Sequence, residues 1–191
     1  MKKEISVVGM VVCAFLLLIL SCQSAPQKEL TDAKAALAKA QEAEADKYAS
    51  DLFNQAKDSI TEAENLIASK KYTEAKELLI NAKTVAESAA QQAVITKDET
   101  KTEVEDFFAA IDGARKQLVE TQNLAKQWKL PDAVWKLTDE TARWDQGRNR
   151  AQTEYNAGNY YLSKQLTAQI HQEITSKDNE LRNLIMEKQK K

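Results

Sequence analysis

The chain has 191 residues, of which 27 are basic and 29 acidic, and it contains only four glycines and two prolines. So few glycines nearly exclude tight turns and phosphate-cradling loops, and the balanced, interspersed charge argues against a nucleic-acid surface or a basic patch for anionic lipid. Alanine, glutamate, lysine, glutamine and leucine dominate the sequence, and these strong helix formers indicate an all-α protein.

Residues 1–21 are predicted to be a lipoprotein signal peptide. Lys2 and Lys3 precede an almost wholly apolar run of 16 residues, Ile5 to Leu20, which is shorter than the roughly 20 residues that a membrane span needs. The following sequence Ile19-Leu20-Ser21-Cys22 resembles the bacterial lipobox. That resemblance implies that Cys22 becomes the lipidated first residue of the mature chain, with a diacylglyceryl group on its thiol. An uncleaved N-terminal helix that anchors the protein is the alternative.

The cysteine count agrees with a lipoprotein. Cys13 would leave with the signal peptide and Cys22 would be lipidated, so the mature chain would offer no thiol for a disulfide, a nucleophile or a metal. Two or more acyl chains hold a soluble domain stably at a membrane, whereas one holds it only marginally. Gln23 follows the cysteine, which by the enteric sorting rule favours the outer membrane, facing the periplasm.

Residues 22–26 are predicted to form a lipidated tether, and residues 27–96 an Ala-rich helical domain. Three stripes of apolar residues recur there at steps of three and four, which is typical of helices that each bury one face. The stripes comprise Leu30, Ala33, Ala36, Leu37, Ala40 and Ala43; Phe53, Ala56, Ile60, Ala63 and Ile67; and Ala75, Leu78, Leu79, Ala82, Val85, Ala86, Ala89 and Ala93.

Residues 97–191 are predicted to form a second helical lobe. Between Thr96 and Glu103 the apolar stripe lapses, but no glycine or proline interrupts it. We therefore predict one helix from about Thr73 to Trp128, with a loop near Lys97 and Asp98 as the alternative.

A break at Leu130-Pro131-Asp132 should end the long helix, because proline cannot continue it. Pro131 and Asp132 should open a fourth helix that runs to Gly158 and Asn159, both of which tolerate the left-handed conformation of a helix end. A fifth helix should then run to the basic C-terminal tail. The fourth helix is predicted to bury a stripe of five residues: Val134, Leu137, Trp144, Ala151 and Tyr155.

A shift of 88 residues pairs Tyr72 with Tyr160 and Leu78 with Leu166, and both segments have the layout helix, short polar turn, aromatic residue, helix. The predicted fold is an elongated antiparallel helical bundle, with two three-helix units that share one long helix as the working arrangement.

The first domain resembles a helical domain of unknown function found in bacterial envelope lipoproteins and beside OmpA-like peptidoglycan-binding domains. Proline often follows the Tyr-Ala pair in that family, where this chain has Ser50. The segments around Tyr72 and Tyr160 are locally similar to tetratricopeptide hairpins. The residues that carry the first resemblance are Ala33, Ala36, Leu37, Ala40, Tyr48, Ala49, Ala56, Ala63, Tyr72, Ala75, Leu78, Ala82 and Ala86.

No catalytic constellation is apparent in the sequence. His171 is the single histidine, and we interpret it as a residue on a helix surface. Carboxylates cluster at residues 103–106 and 139–140, a pattern typical of a solvated helix face. We predict no catalytic residue, no metal site, no cofactor and no small-molecule substrate.

The three tryptophans lie within 17 residues of one another, and aromatic side chains serve both as core residues and as interface anchors. Trp128 and Trp144 lie on their stripes and are predicted to be buried. Trp135 and Tyr161 lie one position off their stripes, and these two are the candidate partner contacts. We therefore predict a lipid-anchored, non-enzymatic scaffold or adaptor for another envelope protein. The alternatives are a self-associating spacer or a cell-wall-binding module.

Overall fold

The computed structural model describes residues 24–190, so the predicted signal peptide and Cys22 lie outside the described residues. The prediction of an all-α protein is confirmed: the described residues form helices and turns and contain no strand. Two compact units divide the chain, one extending to Gln92 and the other beginning at Ala93. The domain boundary after Thr96 stays a prediction.

The first unit contains α1 (Gln27–Glu42), the one-turn helix α2 (Ala45–Tyr48), α3 (Ser50–Ala68) and the beginning of α4 (Tyr72–Gln127). A left-handed residue, Glu44 with φ of 58°, reverses the chain after α1. Ser50 is the first residue of α3, which is the helical position that proline tolerates best. The proline expected there from the resemblance would therefore occupy a helix start, as Ser50 does.

Alanine forms most of the core of the first unit. Ala33 from α1 and Ala63 from α3 are fully buried with Ala82 of α4, and Ile60 and Leu79 are the large side chains among the buried residues of this cluster. Four partly buried side chains pack against it: Leu30, Leu37, Ile67 and Leu78. A second cluster places Ala36, Ala56 and Ala86 together. A buried methyl group removes little apolar area from water. An alanine core therefore stabilises the unit more through van der Waals contact between closely approaching helices than through the volume of buried side chains.

Helix α4 is continuous from Tyr72 to Gln127, which confirms the long-helix prediction over the loop alternative near Lys97. The stripe of apolar residues does lapse between Thr96 and Glu103. Burial continues there, because Thr100 lies between Ala93 and Val104 on the buried side and is only 4% exposed. The Thr100 hydroxyl donates to the Thr96 carbonyl at 2.7 Å. A threonine that satisfies its own hydroxyl in this way can occupy a buried position without an unpaired polar group.

The second unit contains the rest of α4 together with α5 (Asp132–Trp135), α6 (Thr138–Asn156) and α7 (Tyr160–Gln189). The prediction of one helix from Pro131 to the turn at residue 158 is wrong, because Lys136 is extended and separates α5 from α6. In a continuous helix the Trp135 carbonyl would accept from residue 139. Here it accepts from the Gln122 side chain of α4 at 2.7 Å instead.

The core of the second unit is built from larger side chains than that of the first. It combines Ile111 and Leu118 of α4, Trp144 of α6, and Ile174 and Leu181 of α7. The predicted burial of Trp144 is confirmed, since it is 2% exposed. Gly147 permits the close approach of α6 and α7, because a Cβ atom at this position would lie 3.0 Å from Cδ1 of Ile170.

Three helices end in the same backbone motif. After α3, the amides of Lys70 and Lys71 donate to the carbonyls of Ile67 and Leu66, which is the double hydrogen bond of a Schellman cap. The same pairing closes α4 and α6, and the left-handed residues at the three ends are Lys70 (φ 60°), Lys129 (φ 52°) and Gly158 (φ 80°).

The two segments that the 88-residue shift aligns therefore have the same turn as well as the same layout. In each, a tyrosine, Tyr72 or Tyr160, begins the next helix two residues after the left-handed residue. Of the two residues expected to end the helix before Tyr160, Gly158 adopts the left-handed conformation. Asn159 has φ of −83° and precedes α7 as its N-cap residue.

We predict that Lys70→Gly and Lys129→Gly each raise the free energy of unfolding by about 0.5–1 kcal/mol, because glycine removes the steric cost of the left-handed conformation. Gly158→Ala should lower it by about 1 kcal/mol for the same reason. Urea unfolding of each variant measures these differences.

Gly113→Ala is the matched control, since Gly113 lies inside α4 and an added Cβ atom would meet nothing within 4 Å. It should stabilise the protein by about 1 kcal/mol through helix propensity alone. Destabilisation by Lys70→Gly and Lys129→Gly would contradict the assignment of these caps.

Candidate interaction surface

Trp135, the first candidate partner contact, is partly engaged within its own unit. It packs against the core cluster of the second unit. Its indole N–H donates to the Leu130 carbonyl at 3.3 Å, and the Lys136 ammonium lies 5.6 Å from the ring centroid. These contacts hold the turn between α4 and α6 against the core. Whether a partner also contacts the exposed part of the ring stays a prediction.

Tyr161, the second candidate, lies in the first turn of α7 and is 45% exposed. Trp135 precedes α6 and Tyr161 follows it, so the 19 residues of α6 separate them by about 28 Å along that helix. The structure therefore does not bring the two candidate residues into one surface.

A second exposed aromatic residue of this unit lies at the end of α4. Trp128 is 41% exposed and Leu124 is 42% exposed, and a spacing of four residues places them on the same side of the helix. We call Leu124 and Trp128 the α4-end patch. The predicted burial of Trp128 is wrong, because the helix ends at Gln127 and the stripe does not continue into the turn. The adjacent Leu130-Pro131 break is the sequence signal that places Trp128 at a helix end.

The backbone that carries the α4-end patch is well ordered by hydrogen bonds. The Trp128 amide donates to the Leu124 carbonyl at 2.9 Å, and Lys129 and Leu130 complete the Schellman cap with bonds of 3.0 Å each. The patch is therefore presented from a fixed backbone, which lowers the conformational entropy that binding must overcome.

Trp144 links α6 to α7 through Glu173. Its indole N–H donates to Oε2 of Glu173 at 2.9 Å, Gln169 donates to Oε1 at 2.9 Å, and Arg143 approaches within 3.4 Å. The hydrogen bond from Gln169, followed by those from Trp144 and Arg143, lowers the pKa of Glu173 against the opposing effect of burial. Glu173 is thus held ionised as the acceptor of this network.

Crossed ion pairs connect α4 and α6. Arg115 lies 2.5 Å from Asp145, and Arg148 lies 3.2 Å from Asp112. The Arg148 guanidinium also covers the Phe108 ring at 5.3 Å. Exposed pairs of this kind contribute little stability individually, but their crossed arrangement favours one register between the two helices.

Two carboxylates of the acidic cluster at residues 103–106 have partners on other helices. Glu103 pairs with Lys164, and Glu105 accepts a hydrogen bond from the Tyr155 phenol. His171 lies with its ring centroid 6.2 Å from that of Phe107, in a tilted contact. Within residues 24–190, no group of three or more histidine, cysteine or acidic side chains is arranged to hold a metal ion.

Asp178 of α7 is a buried acid that the sequence patterns did not indicate. It is 7% exposed and sits on the buried stripe of α7, where Arg182 lies 2.6 Å from its Oδ2 atom. Asp178 Oδ1 has no hydrogen-bond partner. The ion pair one turn along the helix therefore compensates only part of the cost of burying this carboxylate.

Comparisons with known proteins add one finding. A family model described as a domain of unknown function, DUF4398, matches residues 28–104. This match covers α1 to α3 and the first part of α4. Searches of curated proteins and of solved structures returned no significant match. In the described part of the chain, none of the helices combines the length and the apolar composition required to cross a bilayer.

The pairing of Tyr155 with Glu105 yields a titration that can be measured. The hydrogen bond to Glu105, with smaller contributions from burial and charge, raises the pKa of Tyr155 to about 12. The pKa of Tyr155 in the folded protein lies above the ordinary value of 10.0. The contribution of the Tyr155–Glu105 hydrogen bond to folding stability is therefore fully present below pH 10 and is lost as the pH rises towards 12.

We predict that Tyr155→Phe removes the phenol that ionises near pH 12, and that Glu105→Gln moves this ionisation back towards pH 10. Absorbance titration of the phenolate, taken as the difference between wild type and each variant, measures both effects. Tyr161→Phe serves as the control and should retain the high-pH ionisation. A difference titration centred near pH 10 for Tyr155→Phe would contradict the pairing.

Proposed function

We propose that this protein is a lipid-anchored bacterial envelope lipoprotein that acts as a non-enzymatic scaffold or adaptor for another envelope protein. In this proposal, acyl chains on Cys22 hold the protein at the outer membrane, facing the periplasm. The lipobox-like sequence Ile19-Leu20-Ser21-Cys22 supports the anchor. The second unit supplies the contact with the partner.

The α4-end patch is the observation that supports the adaptor best. Isolated exposed apolar residues are common on protein surfaces, but here a tryptophan and a leucine lie one helical turn apart and are each more than 40% exposed. Tryptophan is among the residues that most often dominate binding energy at interfaces. Lys126 lies between the two patch residues in sequence and Lys129 follows Trp128, so a partner of complementary chemistry would bring an apolar pocket with an acidic rim.

The self-associating spacer is the second candidate, and a separate feature of the first unit favours it. A groove lined by lysines, acidic residues and a few apolar side chains runs between α1 and α4. Self-association through the first unit and partner binding through the second are compatible functions of one chain.

We predict that Trp128→Ala weakens binding of an envelope partner by about 30-fold while the protein stays in the membrane fraction, as expected for an interface anchor of about 2 kcal/mol. Crosslinking in native membranes, followed by quantitative recovery of the full chain, measures the loss. Lys57→Ala is the matched control, because Lys57 is exposed on α3 of the first unit. It should leave recovery unchanged.

Cys22→Ser separates the anchor from the contact, since it should release the protein from the membrane fraction and leave the α4-end patch intact. Cys13→Ser should remain in the membrane fraction. Recovery of the chain's own copies alone, unchanged by Trp128→Ala, would contradict the adaptor and favour the spacer.

A further inference from the structure

The tether that leads into α1 lies beside the turn between α3 and α4. Residues 24–26 line a cavity of about 680 Å³ together with Tyr72, the first residue of α4. Pro26 is buried, and its carbonyl accepts from the Leu30 amide at 3.0 Å. The end of the tether therefore packs on the first unit, next to this turn.

The packing of the three helices places the start of α1 and the α3–α4 turn at the same end of the unit. The buried alanines that face α1 advance along α4 and recede along α3. They are Ala63 and Ala82 beside Ala33, then Ala56 and Ala86 beside Ala36. Helix α1 thus runs parallel to α4 and antiparallel to α3. We call Lys70, Lys71 and Tyr72 the tether-side turn.

The distance from the tether-side turn to the proposed lipid anchor is short. Cys22 precedes Ser24 by two residues, and two residues of fully extended chain span at most about 7 Å. A bilayer of about 40–45 Å contains about 30 Å of hydrocarbon, which leaves a headgroup layer of about 5–8 Å on each side. Acyl chains on Cys22 would therefore bring this end of the first unit to the headgroups.

The tether-side turn carries residue types that suit a headgroup layer. Lys70 and Lys71 are exposed and Tyr72 is partly buried, and lysine and tyrosine are favoured at membrane–water interfaces. The equivalent turn between α6 and α7 has the same Schellman hydrogen bonds, with Gly158 and Asn159 in place of the two lysines. The geometry of the turn therefore does not require lysine.

The net charge at this end is small. The four charged residues that line the tether cavity cancel, and they are Lys28, Glu29, Lys76 and Glu77. Lys70 and Lys71 add two positive charges, and Glu74 lies 3.6 Å from the Lys71 ammonium. The acyl chains would therefore supply most of the membrane affinity, and the two lysines would determine which end of the unit meets the headgroups.

We propose that Lys70 and Lys71 bind phosphate headgroups of the bilayer that holds the acyl chains, so that α1 leads away from the membrane. This inference rests on the lipid anchor of the proposed function. It assigns a membrane contact to the first unit, whereas the proposed adaptor contact, the α4-end patch, belongs to the second.

Fluorescence quenching from the headgroups tests the orientation of the full mature lipoprotein. Ser69→Cys allows a fluorophore to be attached beside the tether-side turn, and Asp51→Cys allows it near the start of α3, about 27 Å away along that helix. Both positions are exposed. In vesicles of phosphatidylethanolamine and phosphatidylglycerol with a quencher on some headgroups, the fluorophore at position 69 should be strongly quenched, and that at position 51 should lose little intensity.

The contribution of the lysines is tested by giving this turn the residues of its counterpart. Lys70→Gly combined with Lys71→Asn should keep the turn folded, since the second unit builds the same turn with these residues. The equilibrium between quenched and unquenched orientations, measured at position 69, should shift by about 25-fold towards the unquenched one. Lys57→Asn, an exposed change on α3, is the matched control and should leave it unchanged. Urea unfolding should show that the double variant is no less stable than the parent.

The outcomes separate this inference from the proposed anchor. A parent chain that does not float with the vesicles, or whose Cys22 thiol reacts with maleimide, would overturn both. A chain that floats but is quenched equally at positions 51 and 69 would overturn the inference alone and leave this end of the unit to a protein partner. Quenching that is the same in the double variant and in Lys57→Asn would also overturn it, because the lysines would then make no headgroup contact.

Discussion

The buried stripe of α4, which we call the α4 seam, is the constraint on which the rest of the structure depends. Both compact units use this helix, and its buried residues follow one another at steps of three and four from Ala75 to Ala93 and again from Ile111 to Ala125. Between these stretches, Ala93 and Val104 are 11 residues apart, and Thr100 is buried between them. An 11-residue repeat keeps a seam on one side of a helix, and so the polar segment does not end it.

The size of the seam residues then determines the character of each unit. In the first unit fully buried alanines dominate the core, which brings the helices close together and leaves little side-chain volume to fill the space beside them. The groove between α1 and α4 lies in this unit. In the second unit Ile111, Leu118 and Trp144 provide volume, and crossed ion pairs between α4 and α6 set the register.

Composition and periodicity predicted the helical class and the long helix, because strong helix formers dominate the chain. A proline and a glycine marked the turns near residues 130 and 158, and the end of one apolar stripe and the start of the next marked the turn near residue 70. The break at Lys136 was not predictable, since it depends on Gln122 of α4 reaching the Trp135 carbonyl. Burial of Thr100 was also missed, because a residue's polarity says nothing about whether its hydroxyl is satisfied by its own helix.

The prediction of which aromatic residues lie on the surface was limited in the same way, because it depends on tertiary structure. Periodicity placed Trp144 in the core correctly, but it treated Trp128 as a continuing helical position although α4 ends one residue earlier. Trp135 and Tyr161 were selected for lying off their stripes, and that criterion does not reveal that α6 separates them. Which aromatic residues share a surface depends on where helices end, and a shift of one residue at an end reverses the prediction.

Amide hydrogen exchange along residues 93–104 tests the continuity of the α4 seam most directly. Exchange should be slow and uniform through this segment, with the amides near Thr100 protected as well as those of the flanking seam positions, because a packed helix opens only with its unit. Rapid exchange confined to residues 96–103, with protection on either side, would contradict a continuous buried seam.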